Sequence, residues 1–349
     1  MSKINLSFIG LGRMGLTHLS ILNSNPKVNI TSACDPSKVI NVFFKKYFEN
    51  INLYSAFEEM IEKEKPDAVI ISTPPNLHFS VVKKCIEKGI HCFVEKPFTL
   101  SYEESNKLDE LAVNKNVINQ VGYVNRFNDM FLKAKELIEN KVIGDVIRFK
   151  SEMFSYTISK EDKGEGWRGN LDTGGGCLNE MASHALDLVN YLVGVPVKVS
   201  GSVLNKVYSQ NVEDIVSTTL QYNEDIAGTL YVNWCDPSFR KPANKIEIYG
   251  KEGKILVDQH DLKIFLKNPN TSFNYKKGWN TVYITDIFNN VPFYVRGNEF
   301  TSQLYHFIDC IENRELKNKC TFNDASETQR LLNLIRLDNK NNEVKNGKN

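Results

Sequence analysis

A chain of 349 residues exceeds what one hydrophobic core usually fills, so two domains are expected. With 43 Lys+Arg against 42 Asp+Glu and no basic run with interleaved aromatics, the composition argues against a nucleic-acid partner. The apolar runs fall well short of the roughly 20 residues that cross a bilayer, so no membrane partner is expected. The N-terminus has no signal-peptide pattern, and the seven cysteines, without CxxC or zinc spacing, read as reduced cytoplasmic thiols and not as a metal site.

In chain order, "INLSFIG" (4–10) is an apolar strand, followed after a glycine turn by the helical spacing of "RMGLTHLSILNS". Strand "VNITSACD" (28–35), helix "SKVINVFFKKYF", strand "DAVIIS" (67–72), helix "NLHFSVVKKCIEKG" and strand "HCFVEK" (91–96) continue the alternation. A helix from Ser101, with Glu104 completing a capping box, leads to "VINQVGY". This order predicts an α/β fold with a doubly wound parallel sheet over residues 1–122.

After a helix at about 127–140 the texture changes to alternating segments, "DVIRFKSEMFSY", "DIVSTTLQY", "AGTLYVNW" and "KIEIYG" among them. They predict a large, open-faced, mostly antiparallel sheet within a second α/β domain, residues 123–336. Two helices close the chain and are candidates to pack back on the first domain. Residues 337–349 have little to bury and are expected to be disordered.

Four groups carry chemistry. Gly10-Leu11-Gly12-Arg13-Met14-Gly15, with Asp35 twenty residues beyond, is a GxGxxG between strand and helix. The glycines allow a tight turn, backbone approach to a pyrophosphate and close helix packing, while the helix N-terminus favours phosphate. Asp35 would accept from ribose hydroxyls and favour NAD, or serve as a turn residue; Ser37 and Lys38 keep NADP as the alternative. Thr73, Pro74 and Asn76 follow a strand end where cofactors bind, with Asn76 also a candidate helix cap. Glu95-Lys96-Pro97 follows the next strand, and Lys96 could face a cofactor or simply be a solvated lysine. In "GGGCLNEMASHALDLVNYL" (174–192), a regular α-helix places Glu180, His184, Asp187 and Tyr191 within roughly 60° of one another. That stripe is either a solvated face or a reaction centre.

Taken together, "FIGLGRMG", "STPPN", "EKP" and "GGGCLNEMASHALDLVNYLVG" resemble the Gfo/Idh/MocA oxidoreductases. The resemblance implies a Rossmann domain and a C-terminal sheet domain through which homodimers or homotetramers form. It implies hydride transfer between nicotinamide and a secondary alcohol or ketone of a sugar, cyclitol or nucleotide-linked sugar. It implies a catalytic group of Lys96, His184 and Glu180, the last standing where Asp is more usual. Trp167, Arg168 and Arg126 match segments near nicotinamide and substrate, and Tyr156, Arg240 and Arg296 are further substrate candidates. The competing readings are a redox-neutral NAD-using sugar epimerase or glycosidase, and a cofactor-binding regulatory protein without catalysis.

Overall fold

Strand Ile4–Ile9 is buried at all but one position and Ala68–Ile71 at every one, which suits the interior of a sheet covered on both faces. The computed structural model describes residues 3–158, 160, 166–223 and 226–345. These form two units, one of residues 1–124 and 290–326, the other of residues 125–289 and 327–349.

In the first unit, β1 (Ile4–Ile9), β2 (Val28–Cys34), β3 (Asn52–Tyr54), β4 (Ala68–Ile71), β5 (His91–Val94) and β6 (Asn119–Val121) form a parallel sheet in the order β3-β2-β1-β4-β5-β6. Helices α1 (Arg13–Leu22), α2 (Lys38–Tyr47), α3 (Phe57–Glu64), α4 (His78–Glu87) and α5 (Tyr102–Asn114) connect the strands. This is the doubly wound order that opens a ligand crevice at strand C-termini where the order reverses, between β1 and β4. The β3–α3 pair was not assigned above: β3 has three residues, none buried, and α3 is mostly charged. Ser101 caps α5 as expected, its Oγ accepting the Glu104 N–H at 3.2 Å.

In the second unit, α6 (Asp129–Glu139) precedes β7 (Val146–Phe154), and α7 (Ser183–Leu192) precedes β8 (Lys198–Asn205), β9 (Ile215–Gln221), β10 (Ala227–Asn233), β11 (Ala243–Gly250), β12 (Gly253–Val257), β13 (Asp261–Leu266) and β14 (Gly278–Tyr283). The order is β14-β13-β12-β11-β7-β10-β9-β8, antiparallel except where β10 runs parallel to β7. One face is apolar, with Phe149, Ile246, Ile248, Ile264 and Leu230 packed in the core with Leu186 and Val189 of α7.

A short α8 (Ile284–Ile287) is followed by α9 (Asn298–Glu312), which lies in the first unit and places Leu304, Phe307 and Ile308 in that unit's core. The final helix, α10, runs from Phe322 to Lys345. Residues 337–345 are therefore helical, correcting the expected disorder; residues 346–349 lie outside the described residues. The reason is polar. Asp338 and Asn339 accept the Ser202 and Leu204 N–H groups of edge strand β8 at 2.7 and 3.0 Å, giving that edge partners a hydropathy reading does not foresee.

Candidate active site

Sterics define the glycine loop in the first unit. Gly10 has φ +92°, and a Cβ there would stand 2.8 Å from the Ser72 carbonyl; at Gly15 it would collide with the Gly10 carbonyl oxygen. At Gly12 it would meet nothing within 4 Å, leaving room at the start of α1. No side chain caps α1 and no acidic residue occupies its first turn, so the helix end favours an anion. Ser72 Oγ and Thr73 Oγ1, beside Gly10, are buried with no hydrogen-bond partner among the described residues. The pyrophosphate of a dinucleotide fits this loop, and those two hydroxyls are suited to polar contacts with the cofactor.

Asp35 is 8% exposed and holds the loop itself: Oδ2 accepts the Leu11 N–H at 2.8 Å and Oδ1 the Ser37 N–H at 2.9 Å. Each oxygen keeps a further lone pair for a ribose hydroxyl. Ser37 is the N-cap of α2, while Arg13 and Lys38 are exposed and Met14 is half-buried. Pro74 is the exposed N-cap of a 3₁₀ turn, Pro75–Leu77, that holds exposed Asn76, and Asn76 does not cap the next helix, whose N-cap is Leu77.

At the end of β5, Glu95 lies 2.6 Å from His18 Nε2 and accepts the Lys96 N–H at 3.2 Å. Burial works to raise the Glu95 pKa, but the His18 hydrogen bond and charge, with Lys96, outweigh it and hold the carboxyl below the usual range. Lys96 is half-buried, and its peptide bond to Pro97 is cis. Arg296, from residues 290–326, has its guanidinium 5.2 Å from the Phe300 ring; burial and the Arg13 charge hold its pKa down, with Glu95 opposing.

In the second unit the segment expected to be a regular helix begins differently. Leu178–Ala182 is a π turn that runs into α7, so the even α spacing assumed for Glu180 and His184 does not hold there. Such turns recur at functional sites. Gly176, at φ +99°, has no room for a Cβ, which would stand 2.5 Å from Glu213 Oε1. That same oxygen accepts the Leu178 N–H at 2.8 Å. Burial pushes the Glu213 carboxyl up. Nothing in the sequence marks Glu213 for this role, because it is distant in the chain.

The π turn carries Glu180 to Arg168, whose Nε lies 2.9 and 2.7 Å from the two carboxylate oxygens. Arg168 stacks on Trp167, 4.7 Å from the ring centroid, and is 45% exposed against 13% for Glu180. Trp167, Arg168 and Glu180 are thus brought together, with His184 half-buried on α7.

Arg126 goes elsewhere. It is 3% exposed, donates from Nε and Nη2 to Asp187 at 2.9–3.1 Å, and lies over Tyr191, whose hydroxyl burial pushes up to about 12. Its guanidinium forms a buried ion pair, and Asp187 and Tyr191 are no solvated stripe. Tyr156 and Arg240 are exposed, Arg240 in the loop joining β10 to β11. Among the described residues no His/Cys/Asp/Glu group could hold a metal, and no helix is long and apolar enough to cross a membrane.

Residues 4–123 match the Gfo/Idh/MocA oxidoreductase family with its NAD-binding Rossmann fold, and residues 131–256 match the Gfo/Idh/MocA C-terminal domain. An uncharacterized oxidoreductase of Schizosaccharomyces pombe is 33% identical over 50% of this chain and 47% of its own length, so the alignment spans about half of that relative. The scyllo-inositol 2-dehydrogenase (NAD(+)) of Bacillus subtilis is 28% identical over 89% of this chain and 87% of its own. Levoglucosan dehydrogenase, solved in complex with NADH, shares the fold with a TM-score of 0.86 at 20% identity, covering 97% of this chain and 98% of that one. With both halves of the family pattern matched in order, and the glycine loop built as that pattern requires, the chain belongs to the Gfo/Idh/MocA oxidoreductases.

Proposed function

We propose that the protein is an NAD-dependent dehydrogenase that interconverts a secondary alcohol and a ketone on a sugar, cyclitol or nucleotide-linked sugar. The observation that carries this reading is the glycine loop: an uncapped α1 N-terminus, open space at Gly12, and Asp35 anchored beneath Leu11. The similarity to scyllo-inositol 2-dehydrogenase supports a polyhydroxylated substrate. NAD, when bound, supplies the hydride acceptor. Lys96 holds the substrate oxygen and stabilises the negative charge that develops on it, a preorganised effect typically worth a few kcal/mol. His184 takes the hydroxyl proton as the alcohol is oxidised and returns it in reduction. Glu180 fixes Arg168 beside Trp167, and the three form a polar and aromatic wall for sugar hydroxyls.

Lys96→Met and His184→Ala should each lower turnover by roughly 10²–10⁴-fold while leaving NAD affinity nearly unchanged. An NAD(H)-coupled screen of sugars, cyclitols and nucleotide sugars measures both. Full turnover in both variants would sink the assignment, and transient NADH without net accumulation would point to a redox-neutral cycle instead.

We further propose a homo-oligomer formed through the open face of the second sheet. Trp279 and Tyr283 are more than half exposed there, and Lys150, Glu152, Lys245, Glu247 and Lys254 alternate in sign across neighbouring strands. Sedimentation of the purified chain should show a dimer or tetramer that Trp279→Glu weakens; a monomer at micromolar concentration would refute it. A reducing, cytoplasmic location is supported by the seven cysteines, all buried free thiols.

A further inference from the structure

His78, the first residue of α4, is wholly buried, with its ring between two loops of the first unit. Nδ1 lies 3.0 Å from the Pro97 carbonyl and 3.1 Å from that of Phe98, and Nε2 lies 2.9 Å from the Thr73 carbonyl. One loop carries the hydroxyl suited to the cofactor, and the other follows directly on Lys96. On the near side of Lys96 a second buried histidine acts: His18 of α1 meets Glu95, which also accepts the Lys96 N–H. The backbone from Glu95 to Phe98 is therefore gripped from both sides, and Lys96 stands between the grips.

A ring that only filled space here would be better apolar, because burying an imidazole costs free energy unless its hydrogen bonds are made. Burial holds His78 below the ordinary histidine range, opposed by the Thr73, Phe98 and Pro97 carbonyls and by the Glu95 charge. Every partner of the ring is a carbonyl oxygen, which accepts, and with two of them at Nδ1 a proton on that nitrogen serves both contacts to the loop after Lys96.

We propose that His78 is a positioning residue for Lys96, donating from Nδ1 to the Pro97 and Phe98 carbonyls so that the ammonium is held in one direction toward the substrate oxygen. The proposal rests on the reading of Lys96 as the charge-stabilising group. A loop released by even an ångström should slow the chemical step without abolishing cofactor binding.

The test compares His78→Phe, His78→Gln and Lys96→Met in the full chain, with NAD affinity from fluorescence titration and kcat and KM from the substrate found in the screen. His78→Phe should lower kcat per folded molecule by up to about 100-fold with NAD affinity within about threefold of the parent, and His78→Gln, whose amide still donates, should recover part of the loss. An unchanged kcat in His78→Phe beside an impaired Lys96→Met would overturn the positioning role and leave the proposed function standing. An unimpaired Lys96→Met would overturn both. Should His78→Phe not fold, imidazole nitrogen NMR of the parent decides: a protonated Nδ1 is expected, and an unprotonated Nδ1 removes the mechanism.

Discussion

Asp35 has more than one task. Its carboxylate pins Leu11 inside the glycine loop and orders the start of α2 through Ser37, while keeping lone pairs for a ribose. Asp35→Ser should therefore do more than relax discrimination against NADP. Losing the acceptor of a buried N–H costs on the order of 1–3 kcal/mol, so NAD affinity should fall by about tenfold or more as the preference for NAD narrows. Titrations with both cofactors measure the two effects; an unaltered preference would place the ribose contact elsewhere. Gly10 and Gly15 were legible in the sequence because their constraint is local and glycine alone meets it. The partnership of Arg126 with Asp187 was not, since two residues 61 positions apart are joined only by folding.

The helix that carries Glu180 and His184 owes its entry to a distant residue. Gly176 lets the chain approach Glu213, whose carboxylate takes the Leu178 N–H, and the π turn that follows directs Glu180 at Arg168. The longer reach of Glu over Asp suits that contact. Glu180→Asp should disturb the pair while leaving stability nearly unchanged, since a half-exposed ion pair contributes less than about 1 kcal/mol. Its signature should be a KM for substrate raised several-fold, shared by Arg168→Met and with NAD affinity unaffected. Steady-state kinetics on both variants are the check, and parental values of KM in each would leave the pair without a role in binding. An apolar stripe at α spacing made this helix visible in the sequence, whereas its first turn was hidden because the glycines and Glu213, not periodicity, shape it.

Acid should weaken the protein before its carboxylates titrate. His91 and His306 are both held down to about 4, chiefly by burial, with the Arg314 and Lys319 charges adding. Each ring accepts a backbone N–H, from Ile118 at 3.1 Å and Lys319 at 3.2 Å, and so must be neutral. In the unfolded chain both would take a proton near pH 6.5. Because the folded pKa is depressed, their contribution is present above about pH 6.5 and is lost as pH falls through about 4. Glu95, also held below its ordinary value, adds a loss at the bottom of that window. Thermal unfolding from about pH 7 to pH 4 should show a falling Tm, less steep in His306→Gln; a flat Tm across that range would contradict it.

The alternation of strands and helices, the glycine loop, and the change to two-residue periodicity after residue 140 are short-range patterns, and they suffice for the Rossmann unit, the antiparallel sheet and the family. Other features depend on partners that the chain brings together only in three dimensions. These are the His18–Glu95 and His78 grips around Lys96, the Glu213 cap beneath the π turn, the Arg126–Asp187 pair, and the polar residues of α10 that satisfy the edge of β8. Hydrophobic period and backbone sterics are written in neighbouring residues. A buried hydrogen bond needs a donor and an acceptor whose meeting depends on where the whole chain has gone.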